Sequence, residues 1–230
     1  MESNVDITER TRIDRELHAA VLEKELLLRE VQHRVKNNMQ IISSMLRLQA
    51  RFIDNTTIQD LLMEIQNRIH SMVLVHERLS RSQNLQHVSL HEYVRDLAND
   101  LLRSYRSPRT QVDLKLKIDP RISLNLDTAI PCGLIINELV SNALMYAFPD
   151  GKRGTIGIDV RRIGEKRYEL RITDSGVGMP KNFSYENSKS LGLNLVHSLV
   201  KKLHGSISFG NENGTAIIIE FTEPNYRERV

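Results

Sequence analysis

The chain has 230 residues, of which 40% are hydrophobic and 27% charged, and its formal net charge is +3. That is enough apolar content for one or two cored domains, and it excludes a long disordered chain, a collagen-like repeat and a polybasic tail. A single cysteine, Cys132, excludes an internal disulfide framework and a multi-cysteine zinc site, and the mixing of basic with acidic residues argues against a nucleic-acid partner.

Residues 1–84 hold none of the 11 glycines and none of the six prolines, which all fall in 85–230. Since these two residues punctuate regular structure most strongly, the first third should be long helices and the rest a mixed α/β domain with tight turns. Ile13, Leu17, Ala20, Lys24, Leu27 and Val31 form a heptad seam with one polar member. It resumes as Val35, Asn38, Ile42 and Met45, and the extra step of four at Val31–Val35 is a stutter. Asn55-Thr56-Thr57 offers caps for a second helix, with seam Ile58, Leu62, Ile65, Ile69, Met72, His76 and Leu79. The two helices predict an antiparallel hairpin. One hairpin cannot cover both stripes, so two copies should pair into a four-helix bundle, a homodimer.

After residue 85, Ser89 is expected to cap a helix to about Tyr105, and Gln111–Ile118 alternates as a strand. Asp127 or Thr128 opens a helix to about Phe148, with Pro131 in or near its first turn. Strands are predicted at Thr155–Ile163 and Tyr168–Thr173, followed by a loop, Asp174–Ser190, and a helix, Leu191–Leu203. Strands Ser206–Phe209 and Thr215–Phe221 close the domain. The fold class is α+β: the helical hairpin, then an α/β sandwich with an open mixed sheet and helices on one face. No apolar run reaches the roughly 18 residues that span a bilayer, and no signal-peptide pattern opens the chain, so a cytoplasmic setting is expected.

Four short motifs lie in the second part. Glu138 and Asn142 are four apart on an apolar helix and share a face, where a carboxylate and an amide oxygen suit Mg²⁺; an exposed polar stripe is the alternative. Asp174-Ser175-Gly176-Val177-Gly178 follows an apolar strand. An Asp there can accept from an exocyclic amine such as adenine's, unless it is an ordinary glycine turn. Ser190-Leu191-Gly192-Leu193 places a glycine in a first helical turn, which suits phosphate or merely close packing. Gly214-Thr215 begins the last strand.

In this order, over roughly 85–222, the motifs resemble the nucleotide-binding boxes of the gyrase/histidine-kinase ATPase superfamily. The resemblance implies ATP and Mg²⁺ as cofactors, with Asn142 as a metal ligand and Glu138 beside it. It further implies that Asp174 binds the adenine amine, that Gly176, Gly178 and Thr215 line the base pocket, and that Gly192 and Leu193 border the phosphates. Tyr146 is retained, whereas Met145 stands where relatives usually have Lys; Lys152 or Arg153 would have to compensate.

In the hairpin, Glu30-Val31-Gln32-His33-Arg34-Val35-Lys36-Asn37-Asn38 follows the stutter, with His33 off the seam and facing solvent. The tract Gln32–Gln49 resembles the acceptor box of sensor histidine kinases of the second acceptor type. This implies a dimerisation and phosphotransfer hairpin over 1–84 and an ATP-binding domain over 85–230. His33 would be phosphorylated and would pass the group to an aspartate of a response-regulator receiver domain. Many such kinases carry an acid directly after the His, but here it is Arg34, so Glu30 and Asn37 are the candidates to orient the ring, with Glu30 expected to accept from it. Val5-Asp6-Ile7-Thr8-Glu9-Arg10 resembles the last strand of a PAS sensor domain, which implies an upstream sensor outside this sequence; a plain helix cap is the alternative. Two rivals stay open: a gyrase- or chaperone-like hydrolase in which an exposed Glu138 activates water, and an adaptor whose nucleotide site has decayed.

Overall fold

The computed structural model describes residues 2–81, 87–105, 111–149, 152–179, 191–210 and 214–224. Ser190 and most of the loop before it lie outside this set.

The Gly- and Pro-free third forms two helices, α1 (Glu2–Ala50) and α2 (Thr56–Arg81), packed as a hairpin. Asn55 caps α2, its Oδ1 accepting from the Ile58 N–H at 3.2 Å, while Gln59 Nε2 closes the turn onto the Ile53 carbonyl at 2.6 Å. α1 is helical from Glu2, so Val5–Arg10 is a turn of helix here and not a strand. Its seam lies open: Ile13, Leu17, Leu27, Val31, Ile42 and Met45 are all exposed.

The remainder is a two-layer domain. Its elements are β1 (His87–Ser89), α3 (Leu90–Ser104), β2 (Val112–Ile118), β3 (Ser123–Asn125), α4 (Leu126–Asn142), β4 (Gly154–Gly164), β5 (Arg167–Asp174), α5 (Leu191–Lys202), β6 (Ser206–Gly210) and β7 (Ala216–Thr222). Five strands form a sheet in the order β2-β4-β5-β7-β6, parallel between β2 and β4 and antiparallel elsewhere. Side chains alternate as period two requires. Ile156, Ile158, Val160, Leu170, Ile172, Ile217, Ile219 and Phe221 are buried in the core shared with α3, α4 and α5, whereas Asp113, Lys115 and Lys117 stay exposed.

Three local readings are corrected. β1 and β3 pair as a small antiparallel ribbon that the sequence pattern did not reveal, because three-residue strands carry too little periodicity. Ser89 makes no side-chain cap; the Leu90 N–H donates instead to the Ile122 carbonyl at 3.0 Å, a bond the ribbon makes available. The cap of α4 is Asn125, whose Oδ1 accepts from the Thr128 N–H at 2.9 Å, so the helix opens earlier than Asp127 and Pro131 lies beyond its first turn. The Asn125 N–H in turn donates to Glu223 Oε1 at 2.7 Å, just past β7.

α4 continues as a π-helical turn, Ala143–Ala147. Leu126–Ala147 has the length and a mean hydropathy of 1.3 that would suit a membrane span, but 78% of that apolar window is buried inside the domain. The hairpin docks on this domain through α2, whose Val73, Leu74, Val75 and His76 are buried.

Candidate functional site

β5, the π-turn and β7 build one end of the site. Asp174 closes β5, and its Oδ1 accepts from the N–H groups of Gly176 at 2.9 Å and Thr215 at 3.3 Å. These two donors turn the carboxylate to a fixed angle and leave it half-buried at the strand end. The Val177 N–H reaches the Ala147 carbonyl at 3.0 Å, which ties the glycine turn to the π-turn. Gly176 is required by this approach: a Cβ there would sit 2.2 Å from the Ala147 oxygen. Gly178 adopts φ 73°, the left-handed region. Asp174, Gly176, Gly178 and Thr215 are thus gathered at one edge, where a fixed, half-buried carboxylate can accept from an exocyclic amine.

The other end is carried by α4 and α5. Glu138 and Asn142 follow one another by a turn of α4, with Asn142 half-buried. Gly192, in the first turn of α5, lies against Glu138: a Cβ there would meet Glu138 Oε2 at 2.5 Å. Leu193 packs on the core, while Tyr146, in the π-turn, is 68% exposed. Lys152 and Arg153 are exposed beyond the π-turn.

Glu138 is not the exposed carboxylate that the sequence suggested. It is buried and held by Arg68 of α2 in a bidentate pair, Nε to Oε1 at 2.6 Å and Nη2 to Oε2 at 2.7 Å. Asn137 Nδ2 also donates to Oε1 at 3.2 Å. Glu138 holds the Arg68 guanidinium above its ordinary range. A nucleotide-bound Mg²⁺ keeps phosphate and water oxygens and needs few protein ligands, so the Asn142 amide oxygen fits it; the Glu138 carboxylate, with both oxygens engaged, does not fit it in this arrangement. Among the described residues, no group of three His, Cys, Asp or Glu could hold a metal by itself.

Sequence reasoning missed Arg68 and Asn137. Arg68 neighbours the seam residue Ile69 but is one of 32 basic residues, and no local pattern marks it out.

On the hairpin, His33 is exposed, as its off-seam position requires. Asn37, one turn on, brings Nδ2 to 3.3 Å from His33 Nδ1. Glu30 does not orient the ring as expected: its Oε1 accepts from Arg34 Nε at 2.7 Å, a charge-assisted bond at the favourable i,i+4 spacing. That bond, first of all, lowers the Glu30 pKa.

The family described as histidine kinase matches residues 30–105, and that described as histidine kinase-, DNA gyrase B- and HSP90-like ATPase matches 128–225. The chain is 36% identical over 222 residues to the sensor histidine kinase PdtaS of Mycobacterium tuberculosis, covering 93% of this chain and 42% of that protein. It is 25% identical over 201 residues to blue-light-activated histidine kinase 2 of Erythrobacter litoralis, covering 86% of this chain and 56% of that one. It therefore spans only about two fifths to just over half of these curated relatives. A solved histidine kinase domain from an E. litoralis blue-light-activated histidine kinase superposes with a TM-score of 0.65 at 23% identity, over 85% of this chain and 90% of that one, which shows a shared fold.

Proposed function

Because the chain belongs to the histidine kinases and carries their ATP-binding domain, we propose that it phosphorylates itself on His33 from ATP and hands the phosphoryl group to an aspartate of a response-regulator receiver domain. Residues 1–84 serve as the dimerisation and acceptor hairpin and 85–230 as the ATP-binding domain. The fragment works in the cytoplasm as a homodimer, downstream of a sensor outside this sequence. The observation that carries the reading is an exposed His33 with Asn37 at its ring, in one chain with the gathered nucleotide boxes.

A ring nitrogen of neutral His33 attacks the γ-phosphorus. The P–N bond forms, the bond to the bridging oxygen breaks, its electron pair leaves with ADP, and the ring gives up a proton. Asn37 acts as the positioning residue. An amide presents oxygen or nitrogen to the same place on rotation, and with its oxygen toward Nδ1–H it leaves the Nε2 lone pair free. Asp174 accepts from the adenine amine, with Gly176, Gly178 and Thr215 shaping the base pocket, and the first turn of α5 at Gly192 offers N–H groups to phosphate. Asn142 would hold Mg²⁺, which spreads charge on the phosphate oxygens.

Incubation with γ-labelled ATP tests this. Acid-labile phosphate should appear on the chain and vanish in His33→Gln while nucleotide binding persists. Free phosphate alone, lost in Glu138→Gln, would establish the hydrolase instead, and neither product would establish the decayed adaptor.

A further inference from the structure

The Arg68–Glu138 pair joins the two functional parts of the molecule in a way the phosphotransfer itself does not need. Lys36 Nζ stands 3.1 Å from Glu77 Oε1, which sets the register of the hairpin and brings His33 level with the last two turns of α2. Arg68 lies nearer the tip, so at 1.5 Å per residue the acceptor is on the order of 10–20 Å from the clasp along the bundle. A second copy in a parallel bundle presents its acceptor at the same level. With Glu138 held on Arg68, the phosphate end of the site is therefore displaced from either acceptor.

The contact is built rather than incidental. The side chains of Arg68 and Glu138 are only 13% and 6% exposed. Glu64 adds a second carboxylate to Arg68 at 3.6 Å. Around the pair, α2 grips the domain with Asn67 Nδ2 on Tyr105 Oη at 3.2 Å, His70 Nε2 with Asp100 Oδ2 at 2.8 Å, and the Tyr93 hydroxyl donating to the Ser71 carbonyl at 3.0 Å. Arg78 adds Glu92 and Asp96. These contacts all lie on one face of α2, and the central one occupies a carboxylate of the nucleotide site.

We propose that Arg68 is an autoinhibitory clasp. By pairing with Glu138 it holds the ATP-binding domain low on the hairpin, away from His33, and it must let go before transfer. The proposal rests on the kinase reading above and names the regulation of that site.

Two measurements on the 230-residue chain test it. In the first, autophosphorylation of Arg68→Ala is followed at saturating Mg-ATP. Removing one partner of a buried pair weakens the docked state, so labelling of His33 should rise roughly fivefold or more. In the second, His70→Cys and Asp100→Cys are joined by a short bismaleimide; Cys132 is buried and its thiol pKa is raised by burial, so it should not compete. The cross-link should form efficiently in the parent background and poorly with Arg68→Ala, and the joined chain should bind a fluorescent ATP analogue yet label slowly. Unchanged or slower labelling of a normally folded Arg68→Ala chain, or equal labelling of joined and unjoined chains, overturns the clasp while leaving the kinase reading intact. If Arg68→Ala fails to fold, the joined chain decides alone. An unjoined chain that binds the nucleotide analogue but never takes up phosphate overturns the kinase reading and the clasp with it.

Discussion

Asn37 reaches His33 across one turn of α1, amide nitrogen to ring Nδ1 at 3.3 Å, at the spacing that also lets Arg34 take Glu30. The ring is thus met from its C-terminal side by a neutral amide, and the carboxylate on its N-terminal side is already engaged. The physical cause is the residue after His33. Arg34 points off the ring but finds Glu30 four positions back, and a charge-assisted bond outcompetes a neutral imidazole.

Asn37→Ala should therefore slow autophosphorylation by roughly tenfold, as removal of such an orienting partner does, with ATP affinity unchanged. Glu30→Gln should have a smaller effect on that rate. Single-turnover labelling at saturating ATP measures both, and a larger loss in Glu30→Gln would reverse the assignment.

Asp174→Asn should weaken nucleotide binding, because an amide reads the adenine amine less well than a carboxylate. Gly176→Ala should weaken it further by forcing the turn away from Ala147, where the new Cβ has 2.2 Å to the carbonyl oxygen. Asn142→Ala should leave adenine binding in place and lose phosphorylation. Titration with a fluorescent nucleotide, with and without Mg²⁺, separates the three; normal Mg-ATP binding and labelling in all of them would refute the site.

The open seam on α1 predicts assembly. Ile42 is 50% exposed in the isolated chain, alongside Leu17, Leu27 and Met45. Burying a large aliphatic side chain is worth roughly 1.5–3 kcal/mol, so a stripe of this length should draw a second copy. Light scattering should give a dimer at micromolar concentration. Ile42→Asp with Ile69→Asp should give monomers or unfolded hairpins. A folded monomer from the unmutated chain would contradict the bundle.

His76 predicts a pH effect on stability. Its Nδ1 is buried with no hydrogen-bond partner among the described residues, and burial lowers its pKa from the ordinary 6.5. Below that value the unfolded chain takes up a proton that the folded one resists, so stability falls as pH drops from about 7 through the ordinary histidine range. His76→Gln should flatten this part of the curve, read as the difference in melting temperature between pH 8 and pH 5.5. An unchanged slope would show that other groups set it.

Much of the architecture was legible because its cues are periodic. The break in glycine and proline usage at residue 85 marks the end of the hairpin third, and the alternation of Val112, Leu114, Leu116 and Ile118 marks β2. The glycine motifs stood out because their order is specific, and the structure brings Asp174, Gly176 and Thr215 together at one edge. What escaped depends on partners distant in sequence. β1 and β3 exist only as a pair, and Glu138 looks solvent-facing until Arg68, seventy positions earlier, is brought onto it. Of the two residues expected at the His33 ring, Asn37 is found there, whereas Glu30 has a competitor in Arg34, one residue beyond His33.

The bond from the Asn125 N–H to Glu223 bears on where the molecule can be cut. Glu223 lies outside the last strand, and its own N–H donates to the Lys166 carbonyl at 2.8 Å, in the β4–β5 connection. One residue after the sheet therefore staples the start of the helix that carries Glu138 and Asn142 to a hairpin end on the far side of the chain. A shortened ATP-binding domain ended at Thr222 would keep every strand and still loosen the residue that caps its central helix, so a usable minimal domain has to extend at least through Glu223.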